Sequence, residues 1–288
     1  MRLMNGILLR RAAFSLCAAG CLATGSGIAL QAAEPPMVCV FISAKQKKVA
    51  DGVLDAQKIV NDFWQIMVNR GAVTSAGIVF PTPVQLATQD VLVWYGDKLI
   101  PSDSLRRDFL RSFFLRGGGL VIVHNAVQDP GLKEIKEWTG TPWQAKTSAW
   151  VQGKIRVERL DPKHPITCGV KPFTADDAAA VGLELDAACR PLAWGRLEDG
   201  KEVPVLWTRE RMEQRTVVFT LGRRYATWEQ PQVQEMLARA IAWAAHKPVD
   251  FLLFSEEKAR LKAAASPEKA GGSADAKKAS AAAVQGGK

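Results

Sequence analysis

The hydrophobic positions of this chain fall into two alternating kinds of run. Val38-Cys39-Val40-Phe41-Ile42 is short, apolar and rich in β-branched residues, the composition of a strand buried on both faces. After it, Val53, Leu54, Ile59, Val60, Phe63, Trp64 and Met67 recur at helical spacing, predicting a helix to about Arg70 that Gly71 stops. Ile78-Val79-Phe80 reads as a second strand, closed by the turn Pro81-Thr82-Pro83. Asp90 to Asp97 reads as a strand running into a turn. Pro101-Ser102-Asp103 opens a helix with Leu105, Phe109, Leu110, Phe113 and Phe114 on its apolar side, and Gly117-Gly118-Gly119 ends it. Leu120-Val121-Ile122-Val123 is again fully apolar and delivers His124-Asn125 at its carboxyl end. This alternation predicts an α/β protein with a doubly wound, mostly parallel sheet flanked by helices.

From about Gly140 to Gly200 the pattern is less regular. Lys154 to Leu160 alternates and predicts an amphipathic strand, while Asp161-Pro162-Lys163-His164-Pro165 reads as a loop, since proline pushes each preceding residue away from helix. Strand signals return at Val203 to Trp207 and at Thr216 to Leu221, which turns at Gly222. A last helix is expected from about Pro231 to His246, packing Val233, Met236, Leu237, Ile241 and Trp243. From Ser255 the composition shifts to Ala, Lys, Gly, Ser and Glu without periodic apolar residues, so residues 255–288 are expected to be a disordered Ala/Lys-rich tail. One domain, residues 34–254, remains, with no internal repeat.

The first 33 residues change the picture of where this domain works. Arg2, Arg10 and Arg11 precede an apolar, small-residue stretch from Ala12 to Leu30, followed by Ala32-Ala33 before Glu34-Pro35-Pro36. That is the layout of a cleaved secretory signal, interrupted by glycines where a permanent span would be continuous. Export to a periplasm or the exterior is therefore expected. Arg10-Arg11 with Phe14 leaves the general and the twin-arginine routes both open. Ala18-Ala19-Gly20-Cys21 resembles a lipoprotein-processing box, which would make Cys21 a lipid anchor. No later run reaches the roughly 20 apolar residues of a membrane span.

Of the formal charge of +9, three units belong to the leader and three to the segment from residue 255, leaving about +3 spread over the domain. That distribution argues against nucleic acid as a partner. Cys39, Cys168 and Cys189 remain after cleavage. Cys39 falls in a strand, Cys168 and Cys189 could pair in an oxidising compartment, and no C-x-x-C is present.

Ligands of open parallel sheets gather at the carboxyl ends of strands. Three such ends carry polar groups: Tyr95 to Asp97, His124 with Asn125, and Arg223 with Arg224 and Tyr225. These, with His164, are the candidate ligand-binding residues, and His124 is the candidate catalytic one. The glycine triplet precedes a strand and so makes no phosphate loop, and no G-x-S-x-G elbow occurs. With three histidines in all and no H-x-x-x-H pair, neither a metal site nor a cofactor is expected. His246 is expected to cap the last helix. Asp176-Asp177 reads as a solvated loop before a carboxylate pair, and Trp138, Trp143 and Trp150 as core before sugar platforms. Glu229 is the one obvious carboxylate near the two arginines in sequence.

Several blocks, in order, carry a resemblance. Phe113 to Ala126, Trp138-Thr139-Gly140 with Trp143, His164-Pro165-Ile166-Thr167-Cys168-Gly169, and Val217 to Trp228 followed by Ile241 to Ala245 resemble trehalose-utilisation (ThuA-like) domains. The resemblance implies a flavodoxin-like sheet related to class I glutamine amidotransferases, and a role in metabolism of disaccharides or their keto derivatives. Where amidotransferases carry a nucleophilic cysteine after the central strand, this chain has His124, which disfavours glutamine hydrolysis. Other family positions differ too: Gly222-Arg223-Arg224 replaces Gly-His-Asp, Asn125 replaces a second histidine, and Asp176-Asp177 stands in for Asp-Glu-x-Tyr. Ser43 to Lys47, after the first strand, carries no histidine.

Two functions are consistent with these residues. One is an exported enzyme acting on a carbohydrate or keto-sugar derivative, with His124 as acid or base and the arginines holding an anionic or carbonyl oxygen. The other is a catalytically degenerate domain that binds a carbohydrate or a protein. Both point to a small carbohydrate or anionic sugar derivative as the expected ligand.

Overall fold

The computed structural model describes residues 34–43, 56–96, 104–128 and 133–266. Residues 1–33, where a leader is expected, Asp97 and residues 267–288 lie outside them. The parallel half is made of β1 (Met37–Ser43), β2 (Val73–Gly77), β3 (Val91–Gly96), β4 (Gly119–Val123) and, late in the chain, β9 (Gln214–Phe219). They pair in the order β2-β1-β3-β4-β9, all parallel. That order, read from one edge, is the flavodoxin-like 2-1-3-4-5 arrangement.

The sheet does not stop there. It continues through β8 (Glu202–Arg211), β7 (Cys189–Arg196), β5 (Ala149–Leu160) and β6 (Phe173–Val181), each antiparallel to the last. The expectation of a mostly parallel sheet is therefore corrected. Half of its eight pairings are antiparallel. The irregular stretch after Gly140 is irregular because short hairpin connections replace crossover helices.

Pleat alternation sends Val91, Val93 and Tyr95 to one face and Leu92 and Trp94 to the other. The first face is covered by α1 (Ala56–Asn69) and α6 (Pro231–Ala244), whose Phe63, Met67, Met236, Leu237 and Ile241 fill one core. The second lies with α2 (Pro83–Thr88), α3 (Ser104–Leu115) and α4 (Lys133–Thr139), where Leu86, Leu110, Phe113, Phe114 and Trp138 pack with Trp94 and Trp207. β4 can approach α6 closely because Gly119 has no side chain: an ideal Cβ there would lie 2.2 Å from the Ala244 carbonyl oxygen.

Two local expectations shift. The second strand forms at Val73–Gly77, five residues before Ile78-Val79-Phe80, because the parallel register ties Val73 to Pro36 and Met37 of the β1 edge. The proline pair is no plain turn either. Pro83 starts α2 and Thr82 caps it, its hydroxyl accepting from the Gln85 N–H while the Gln85 side chain reaches back.

The larger correction concerns the expected tail. Ser255–Ala265 is a helix, α7, and it is fastened down. Glu257 accepts two hydrogen bonds from the buried Arg70 guanidinium, at 2.6 and 2.9 Å, and its carboxylate caps the Phe254 N–H at 2.8 Å. Arg260 reaches Glu235 of α6 at 2.7 Å. The segment lacks an apolar stripe, so hydrophobic periodicity misses it; ion pairs to α1 and α6 hold it instead.

Candidate functional site

The carboxyl ends of β3, β4 and β9 meet at His124. β4 runs straight into a 3-10 turn, His124–Val127, and His124 takes a left-handed backbone with φ of 54°. Such a conformation is uncommon outside glycine and marks turns where a side chain is held in a fixed direction. The imidazole is buried between rings. Tyr95 stacks at 6.0 Å between centroids on one side and Trp150 lies at 4.7 Å on the other. Its Nδ1 sits 3.3 Å from the Thr220 carbonyl oxygen just past β9. A carbonyl can only accept, so this bond assigns the hydrogen to Nδ1 and leaves the lone pair on Nε2.

Burial pushes the His124 pKa down to about 3, the Thr220 carbonyl opposing and the nearby Arg223 cation reinforcing the shift. The ring is therefore neutral at physiological pH. Tyr95 extends the site towards β9 through its hydroxyl, which donates to the Gly222 carbonyl at 3.3 Å. Trp228 Nε1 donates to the same oxygen at 2.8 Å.

The other side of the Gly222 peptide is held by a residue that sequence reasoning missed. Asp177 lies fully buried in β6, not in a solvated loop. Its carboxylate accepts from the N–H groups of Gly222 (2.8 Å), Arg223 (2.9 Å) and its neighbour Ala178 (2.7 Å). Burial raises its pKa, with Thr227 and these three backbone donors acting against the rise. Gly222, at φ of 117°, is held from both sides, so the turn that presents Arg223 is rigid. The signal was present as the Asp-Glu-x-Tyr-like position, but only the antiparallel extension brings β6 against the end of β9.

The arginines separate. Arg224 pairs with Asp176 at 2.8 Å on the surface, so Glu229 is not the carboxylate beside it. Arg223 is half-buried beside His124, and no hydrogen bond or ion pair of its guanidinium is found among the described residues. Tyr225 begins α5 (Tyr225–Trp228) and its ring lies under the Lys58 ammonium at 3.8 Å. Asn125 follows His124 in the turn, and Asp97 lies outside the described residues.

His164 does not join the site. It sits against Trp243, 5.6 Å between ring centroids, near the end of α6 that returns to the amino ends of the parallel strands. Its Nδ1 accepts from the Ile166 N–H, and burial with Arg190 nearby pushes its pKa to about 4. The His-Pro-Ile-Thr-Cys-Gly segment is instead architectural. The buried Arg239 donates to the carbonyls of Pro165, Ile166 and Cys168 while pairing with Glu235. His246 closes α6 with a left-handed φ of 57° and places Nε2 2.9 Å from the Glu213 carbonyl. Cys168 and Cys189 are both free. Trp150 is more than core filling: it stacks on Trp143 (5.4 Å), flanks His124, and donates from Nε1 to Gln128 at 2.9 Å. Among the described residues no group of three or more His, Cys, Asp or Glu could hold a metal ion, and no helix is long and apolar enough to cross a membrane.

A flavodoxin-like parallel half, with polar groups gathered past its central strand, defines an open-sheet α/β protein. The family described as ThuA, trehalose utilisation, matches residues 40–244. The chain belongs to that family. Its fold is shared by a ThuA-like protein from Bacteroides uniformis, at 15% identity and a TM-score of 0.59 over 76% of this chain and 95% of that one. Two β-galactosidases contain a similar region. The enzyme from a Rahnella species gives 11% identity and a TM-score of 0.52, over 75% of this chain and 32% of the enzyme. That from Bacillus circulans gives 12% and 0.51, over 73% and 31%. Comparison with curated proteins finds no match.

Proposed function

We propose that this ThuA-family chain is an exported protein that binds a carbohydrate derivative at the carboxyl ends of β3, β4 and β9. The observation that carries the reading is His124: a buried, neutral imidazole on a strained turn between Tyr95 and Trp150, with Arg223, unpaired among the described residues, beside it. Family membership supports a carbohydrate ligand. Arg223 favours one that bears a carboxylate or carbonyl oxygen, which a guanidinium grips with parallel hydrogen bonds.

The chemistry of His124 favours binding over proton transfer. An imidazole with a pKa near 3 is a weak base at neutral pH, far from the matched value that general-base catalysis uses. Its Nε2 is suited to accepting a hydrogen bond from a ligand hydroxyl. The enzyme reading keeps one observation in its favour, the left-handed φ of 54°, since strained turns of this kind cluster at reactive centres. Export rests on the leader pattern of residues 1–33, and sequencing the mature N-terminus checks it: an intact Met1 in a cytoplasmic fraction removes it.

The ligand experiment is a thermal-shift panel of neutral sugars, keto-sugars and sugar acids, followed by calorimetric titration of each hit. Arg223→Ala is expected to weaken a sugar acid by roughly tenfold to a hundredfold, the loss of about 1.5–3 kcal/mol for one charge-assisted bond. Unchanged affinity in both Arg223→Ala and His124→Ala, with both folded, would put the ligand elsewhere.

A further inference from the structure

At the opposite end of the sheet, the tip of the β8–β9 hairpin carries two unexplained costs at one residue. Met212 is the first of the two residues linking Arg211 and Gln214, and it is left-handed, with φ of 51°. That position of a two-residue turn favours glycine, asparagine or aspartate. Met212 is also 85% exposed, so most of a long apolar side chain stands in water. Nothing in the fold of a single copy requires methionine there.

Met212 stands on the wall of a cavity of about 260 Å³ between the hairpin, α3 and α4. Its floor is aromatic, Phe114 against Trp138 at 5.0 Å between centroids, and Leu115 on its rim is 71% exposed. A projecting apolar side chain thus adjoins a recess with an aromatic floor, on one patch. The charges around them come in both signs. Arg111 and Arg211 are half-exposed, held by Glu134 and Glu137, whereas the Glu213 carboxylate makes no hydrogen bond or ion pair among the described residues.

A patch that offers a projection, a recess and both signs of charge is complementary to itself under a two-fold rotation, the geometry of an isologous interface. We infer that this face is a self-association surface, with Met212 of one protomer seated over the Phe114–Trp138 floor of its partner. Under that rotation Glu213 of each copy would come near Arg111 and Arg211 of the other, which are half-exposed and already paired with Glu134 and Glu137, and would gain a cation it does not meet among the described residues of its own chain. The patch lies at the amino ends of the parallel strands, so the His124 site stays open in the assembled pair. The inference does not depend on the ligand reading.

The test is sedimentation equilibrium of the mature chain from micromolar to submillimolar concentration, with Met212→Asp, Leu115→Asp and Met212→Gly alongside. The wild type is expected to dimerise, and each aspartate variant to weaken dimerisation at least tenfold, about 1.4 kcal/mol. Met212→Gly relieves the strained turn, so it should melt no lower than wild type yet also associate more weakly. Unchanged melting of the aspartate variants at low concentration separates lost association from lost folding. A wild type that stays monomeric, variants that associate as tightly as wild type, or a monomer whose cavity takes a different occupant would each overturn the inference.

Discussion

Glu257 offers the sharpest test of how the C-terminal helix is held. Its carboxylate is the bidentate partner of Arg70, whose side chain is buried at the end of α1. Burial alone would push the Glu257 pKa up, but the Arg70 hydrogen bonds, the Phe254 N–H and the charges of Arg70 and Arg260 hold it below its ordinary value. Glu257→Ala leaves Arg70 with the Leu252 carbonyl at 3.0 Å and the Phe254 ring at 4.3 Å, and with no counter-charge. Removing one partner of a buried pair costs about 3–5 kcal/mol. Because Arg70 keeps those two contacts, the lower end applies, about 3 kcal/mol.

For a domain of this size each kcal/mol moves the melting temperature by about 2–4 °C, so a fall of about 6–12 °C is expected. Differential scanning calorimetry measures it, with two controls. Truncation after Ser266 should leave the melting temperature in place, and the double variant Arg70→Met/Glu257→Leu should recover most of the loss, since it buries no unpaired charge. The sign with pH follows from the depressed pKa. The contribution is complete above the unfolded pKa of about 4.3 and vanishes as pH falls through the lower folded value. A shift of under about 2 °C for Glu257→Ala would mean that α7 is not docked through this pair.

Two further outcomes test the His124 turn. A histidine that titrates near 6.5 unfolded and about 3 folded takes up its proton only on unfolding, so lowering the pH from 7 to 5 costs about 2 kcal/mol through this group. Urea unfolding of His124→Gln should show that much less acid sensitivity than wild type; equal slopes would show that the ring is not buried neutral. Asp177→Ala strips the acceptor from three backbone N–H groups and should cost about 3 kcal/mol, with faster amide exchange at Gly222 and Arg223. Unaltered exchange there would show that Asp177 does not set the turn.

Strands β3, β4 and β9 were legible because they are buried on both faces, so unbroken apolar runs such as Leu120 to Val123 stand out from the polar turns around them, whereas the half-exposed edge strand β2 carries no such run. The convergence of Tyr95, His124 and Arg223 followed from topology alone. The misses share a cause. Asp177 looks like a surface residue because its acceptors are satisfied by backbone 45 residues away, a pairing no local pattern records. His164 was grouped with the ligand residues because its segment matches a family block; the fold places it against Trp243, with its Nδ1 accepting from the Ile166 N–H. α7 has no apolar stripe, and its partners lie 187 and 25 residues back along the chain.

The antiparallel extension also bears on how the chain reaches this structure. β4 pairs with β9 across nearly a hundred residues, Leu120 opposite Thr216, a contact whose loop-closure entropy must be met before it contributes. β7, β8 and β9, by contrast, form a meander with short links and can assemble locally. The expected consequence is a kinetic order: the meander closes first and presents the free edge of β9 as a template for the parallel half. Substitutions that loosen the β8–β9 hairpin should then slow refolding, and those in α1 should chiefly hasten unfolding. The reverse assignment would mean that the parallel strands nucleate on their own.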